Sequence, residues 1–217
     1  MRFPNAYKGV KKLFIAEILA VIAALLTVVA AILAAAGINN EPLVLAAGGM
    51  IIATGIIFVI VFIIQLVGLH QGGKDEPQIK VAFFLTIFSV ILSLVASILT
   101  AIRGNAVLTD IAKYINIAVD VATVIALLYT LLGIATLAKK LGDDKMAKFG
   151  RRLAWVVCIL FVVAIVMNLF SGIISKNTQQ WVTVTVAVLG IVAAIAEFVV
   201  YVLTFVYYGK ATKMLKQ

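Results

Sequence analysis

The chain has 217 residues, 65% of them hydrophobic and 12% charged, with a mean hydropathy of +1.21 and a net charge of +9. Water-soluble domains are roughly half apolar and about a quarter charged, so this balance excludes an ordinary soluble fold and predicts an all-α, polytopic integral membrane protein. Cys158 is the only cysteine, which excludes an intramolecular disulfide, and no Cys/His spacing suits a metal; neither metal nor cofactor is expected.

Six apolar stretches follow one another, at 13–36, 43–69, 81–102, 114–138, 153–175 and 181–208. Each is 22 to 28 residues long, and about 20 cross the hydrocarbon core as an α-helix. The first follows Arg2, Lys8, Lys11 and Lys12 and ends in "AILAAAG". Its apolar run exceeds the roughly 7 to 15 residues of a signal peptide's core, so an anchor is expected. It carries Ala16, Ala20 and Ala24 four apart, and the second span carries Gly48 and Gly55; both read as helix contact surfaces. "NNEP" (39–42) and "DEP" (75–77) place a capping side chain before a proline, the chemistry of a helix start. In the third span Thr86, Ser89, Ser93, Ser97 and Thr100 form a hydroxyl seam suited to close packing. "GDDKMAKFGRRLAWVV" offers Asp143 or Asp144 as N-cap of a helix entering the fifth span. In the sixth, "WVTVTVAVL" alternates like a strand, but the apolar residues that follow predict the outer part of a helix.

Threading six helices with both termini in the cytoplasm puts fifteen of the eighteen basic residues inside, and only Arg103, Lys113 and Lys176 outside. This is the positive-inside pattern, and it predicts a multi-pass protein of the cell's inner (plasma) membrane. The basicity then encodes orientation and attraction to anionic lipid. Nucleic-acid binding is not expected, because no basic patch interleaved with stacking aromatics exists. No connection is long enough for a soluble domain, so residues 1–217 are expected to form one membrane domain. Lys12, Lys80 and Arg152 open three similar stretches, which suggests three helical-hairpin repeats over roughly 1–76, 77–148 and 149–217, around a threefold axis along the membrane normal. Coincidence is the competing account, since membrane-entering helices commonly begin basic and continue aliphatic.

Polar groups inside the spans carry the functional reading, because an intramembrane acid is costly and functional by default. Glu17 lies about 7 Å past Lys12, where an interfacial role beside Lys11 and Lys12 suffices. Glu197 lies about 24 Å from Trp181 and about 16 Å from Tyr208, too deep to snorkel, and shares a stripe with Tyr201, Thr204 and Tyr208. Asp120 lies about 9 Å from the outer rim, on one face with Asn116 and Thr123. Asn168 and Ser97 fall at similar depth on other spans, so Asp120, Asn168 and Ser97 are expected to meet in an outer cluster. Glu197, Tyr201, Thr204 and Gln65 would form an inner track.

No span contains histidine, and no G-x-S-x-G, H-E-x-x-H or phosphate-loop motif occurs, so no enzyme is expected. "GDDKMAKFG" invites comparison with lipid-head-group phosphotransferases, but no aspartate follows Asp144, which removes the remainder of that motif. In size, six spans and the alanine spacing of its first span, the chain is similar to the membrane-embedded substrate-binding subunits of larger importers. "GINNEP" is shorter than the first extracellular loop of such subunits. The expected function is transport or permeation of a small solute or ion, proton- or cation-linked, by the chain itself or with a partner membrane subunit or as a homo-oligomer. The alternative is a non-transporting scaffold or accessory subunit whose buried acids only pin helices together.

Overall fold

A computed structural model describes residues 2–37, 41–102, 106–174 and 180–216, with side chains except at 106, 166–187 and 189, and the described residues form six helices. They are α1 (Pro4–Ala36), α2 (Glu41–Gly72), α3 (Pro77–Ala101), α4 (Ala106–Lys140), α5 (Asp144–Ile174) and α6 (Gln180–Lys216). Among the described residues, five helices are long and apolar enough to cross a membrane: all but α5, whose later side chains lie outside the description. Helix is what lipid demands of such segments, since every backbone N–H and C=O must be paired within the segment. The strand-like alternation at 181–189 is helical within α6, as its apolar continuation predicts. Large apolar side chains such as Leu25, Ile52, Phe84, Ile98 and Phe198 point outward, a surface suited to acyl chains.

The helices run antiparallel in sequence order, and each packs on the next: α1 on α2, α2 on α3, α3 on α4, α4 on α5 and α5 on α6, with α6 closing on α1. The α1–α2 and α3–α4 interfaces are the most extensive, and their sequences show why. On α1, Gly9, Ala16, Ala23, Ala30 and Gly37 are buried at intervals of seven; Gly9 and Gly37 both lie against α2. Ala47, Thr54, Val61 and Gly68 answer them on α2 with the same interval. On α3 and α4 the corresponding lines are Ala82, Ser89 and Ala96, and Ala112, Ala126 and Gly133. A seven-residue repeat of small residues lets two helices run close together for their whole length.

The expected contact lines shift accordingly. Ala20 and Ala24 are not buried, and Gly48 and Gly55 are one residue off the α2 seam; a Cβ on either glycine would meet nothing. The α3 hydroxyls also turn inward on their own helix. Thr86 donates to Ala82 O at 2.9 Å, Ser97 to Ser93 O at 2.8 Å and Thr100 to Ala96 O at 2.8 Å, and only Ser89 of that series is buried.

Tight packing concentrates at the end where α1, α3 and α5 begin and α2, α4 and α6 finish, here termed the basic end. Val10, Leu69, Ile79, Leu131, Ile134, Leu137, Ala211 and the Tyr207 ring form one buried cluster there. Gly150 accommodates the Tyr207 ring, and Phe149 meets it edge-on at 5.4 Å. Between α5 and α6 the described buried residues stop at Val157 and resume at Thr204. The third hairpin is therefore joined to the others at the basic end.

Polar connections fix that end. Gly142 takes φ +81°, the left-handed conformation that glycine tolerates. Gly142 N–H donates to Lys139 O and Asp143 N–H to Ala138 O, closing α4 in a Schellman turn. Asp143 then accepts from Met146 N–H at 3.0 Å, capping α5. The "DEP" turn departs from expectation. Neither acid caps α3, whose N-cap Glu76 makes no capping bond. Asp75 instead accepts from Ala6 N–H at 2.7 Å and Asn5 Nδ2 at 2.9 Å, capping α1 from a distant loop. Buried Glu76 pairs with Lys140 Nζ at 2.7 Å, and Arg2 donates to Lys140 O at 3.2 Å. Residues 38–40, which include Asn39 and Asn40 of the expected "NNEP" cap, lie outside the described residues.

Candidate functional site

Two adjoining cavities lie where the third hairpin meets the first two. One, about 320 Å³, is bordered by Glu17 of α1, Leu127 of α4, Phe161 of α5, and Glu197, Tyr201 and Thr204 of α6. The other, about 410 Å³, is bordered by Asp120 and Thr123 of α4 and by Ile165 of α5. Val124, Phe161 and Ala164 border both, so the two are parts of one cleft. Each has room for several waters, at about 30 Å³ apiece.

The cleft gathers the three acids that the apolar runs contain, and among the described residues no lysine, arginine or histidine borders either part. Their order follows from helix direction. Glu17, Tyr201 and Thr204 lie next to the packed base. Glu197 lies two turns further along α6, about 10 Å from Thr204. Asp120 lies further still toward the opposite end, about 10 Å along α4 from Leu127. The base beneath is closed: Leu131 and Tyr207 are wholly buried and Tyr208 nearly so. The cleft is thus sealed toward the basic end.

Local bonding separates these groups. Tyr201 Oη donates to the main-chain oxygen of Glu17 at 3.3 Å, tying α6 to α1, and Phe14 stacks obliquely on Phe205 at 5.1 Å one turn lower. Thr204 is 5% exposed, yet its Oγ1 has no hydrogen-bond partner. Thr27, Thr123, Thr130 and Thr212 each donate to the carbonyl four residues earlier, whereas Thr54 Oγ1, buried in the α1–α2 seam, lacks a partner as Thr204 Oγ1 does. A buried hydroxyl without a partner costs about 1–3 kcal/mol, and the one on Thr204 borders the cleft. Asp120 and Glu197 are exposed in the bare bundle, and neither accepts a hydrogen bond from a described side chain.

The structure brings together some of the residues picked from sequence and leaves others apart. Glu197, Tyr201, Thr204, Asp120 and Glu17 all border the cleft. Asn116 is exposed on α4 one turn before Asp120 and does not border it. Ser97 is exposed on α3, a helix that contributes nothing to the cleft, and Gln65 is half-buried on α2, which contributes nothing either. The Asn168 side chain lies outside the described residues. Glu17 joins the inner track, a position that its axial depth alone did not reveal. Among the described residues no cluster of three or more His, Cys, Asp or Glu side chains could hold a metal ion. Compared with family models, with curated proteins and with solved structures, the chain matches none.

Proposed function

We propose that this chain is a multi-pass membrane transport protein, with both termini in the cytoplasm, that carries protons or a small monovalent cation along the α1–α4–α5–α6 cleft. The observation that carries this reading is the lining: among the described residues, three carboxylates and no basic side chain border two adjoining spaces between the apolar helices. Acids are expensive in lipid and mark ion pathways or proton relays when they face a bundle interior. An all-acidic wall with apolar sides concentrates cations and rejects anions. Glu197 is the exchanging acid, and Thr204 Oγ1, buried and unpartnered, supplies an oxygen toward a bound cation or its water. Asp120 is the outer acid through which the ion enters. Closure of the base by Leu131, Tyr207 and Tyr208 supports reading this arrangement as the outward-facing one.

A scaffold in which acids only pin helices together draws less support. Pinning requires hydrogen bonds from neighbouring helices to those carboxylates, and Asp120 and Glu197 accept none among the described residues. The test is flux in proteoliposomes with an imposed pH or cation gradient. Glu197→Gln is expected to abolish flux, and Asp120→Asn to slow it, both with helical content unchanged. Transport at the original rate by the double variant would refute the mechanism. Reporter fusions after residues 40, 73, 107, 145 and 178 test the threading independently, with the fusions at 73 and 145 expected inside.

A further inference from the structure

A second site lies at the basic end, on the far side of the bundle from the acidic cleft. There the turn between α2 and α3 encloses a notch of about 370 Å³ bordered by His70, Gly73, Lys74, Lys80, Phe83 and Phe84. We propose that this notch binds the phosphate of an anionic glycerophospholipid, whose acyl chains run along the outer face of α3. The proposal rests on the membrane-spanning reading but not on transport.

Charge is the first argument. Lys74 and Lys80 are both exposed, and no acid borders the notch. The two acids of the same turn are committed elsewhere, Asp75 to the first turn of α1 and Glu76 to Lys140. Two ammonium groups therefore face one concavity with no described carboxylate to neutralise them. Their convergence has a structural cause: a Cβ on Gly73 would stand 2.8 Å from Lys80 Cα, so the absence of a side chain lets the end of α2 lie directly on the first turn of α3. His70 packs on Phe83 at 5.3 Å and Phe83 meets Phe84 edge-on at 5.5 Å, forming an aromatic floor.

Continuity with the apolar surface decides between a lipid and a soluble phosphate. Lys80, Phe84 and Phe88 are spaced four apart on α3, so they share a stripe. Phe84 is 57% exposed and Phe88 52%. The stripe leads from the cationic notch straight onto the apolar flank, the layout in which basic pockets beside spans hold lipid headgroups. A site for free phosphate would have no use for that aromatic flank.

The experiment compares lipids retained by purified full-length protein in native mass spectrometry, after exchange into mixed phosphatidylglycerol and phosphatidylcholine nanodiscs. Wild type is expected to keep phosphatidylglycerol over phosphatidylcholine by about tenfold or more, from two lysines near the surface. Lys74→Gln with Lys80→Gln is expected to abolish that preference, and the arginine pair at the same positions to restore it. Lys8→Gln with Lys216→Gln removes the same charge elsewhere and is expected to change nothing. Undiminished preference in the Lys74/Lys80 glutamine pair, or equal loss in the Lys8/Lys216 pair, overturns the site. Displacement of the bound lipid by millimolar inorganic phosphate would show a soluble-anion site and overturn the lipid assignment. Loss of flux has no bearing on any of these readings.

Discussion

At the residue scale, the glycines divide into those that permit a contact and those that permit nothing in particular. A Cβ on Gly9 would come 2.5 Å from Gly68 O and 2.6 Å from Gly72 N, backbone atoms that cannot rotate away, whereas Gly48 and Gly55 have open space around them. Gly9→Leu is expected to force α1 and α2 apart at a cost of about 1–3 kcal/mol, while Gly48→Ala and Gly55→Ala should be neutral or stabilising by up to about 1 kcal/mol. Denaturation midpoints in detergent or mixed micelles check both. Sequence alone could not sort these glycines. In a stretch as rich in alanine and glycine as α1 and α2, spacings of four and seven are both present, and only the partner helix decides which line is used. The same ambiguity hid Glu17: counting residues gives depth along an axis but not the direction around it, and direction is what puts Glu17 on the cleft. Thr204 was legible as a neighbour of Glu197 by its seven-residue spacing, but not as a hydroxyl without a partner.

At the element scale, the turns carry more of the architecture than their length suggests. Six successive helices were legible because each apolar run is long and each connection too short to do anything but reverse direction. The Asp143 cap was legible too, since its partner is three residues away. Asp75 was not, because a cap donated across 69 residues leaves no local pattern. Replacing Asp75 with alanine is expected to destabilise the protein by about 1 kcal/mol and to loosen the first turn of α1, read as faster amide exchange there. Lys140→Met should cost more, about 2 kcal/mol, because it strands the buried Glu76 carboxylate beside apolar neighbours. Glu76→Gln, which leaves no stranded charge, should be milder than Lys140→Met, and the order of unfolding midpoints checks the comparison.

At the scale of the whole molecule, the bundle is firmly packed at the basic end, where all six helices contribute to one buried cluster. Small residues at seven-residue intervals hold the first two hairpins along their length, whereas the described packing of the third is confined to the residues around Gly150 and Tyr207. This difference predicts where water goes. In a Cys158→Ser background, cysteines at 120 and 164 are expected to react with a membrane-impermeant thiol reagent, while cysteines at 23 and 96, inside the seams, stay protected. Equal protection at all four positions would mean that lipid fills the cleft.

The long-range cap at Asp75 also bears on how the protein is made. When α1 and α2 leave the ribosome, the first turn of α1 has no ligand for Ala6 N–H until residue 75 has been synthesised, and Glu76 then waits, without a counter-charge, for Lys140. The earliest hairpin is thus completed by the turn that begins the next one, and that turn is in its own time completed by the end of the second hairpin.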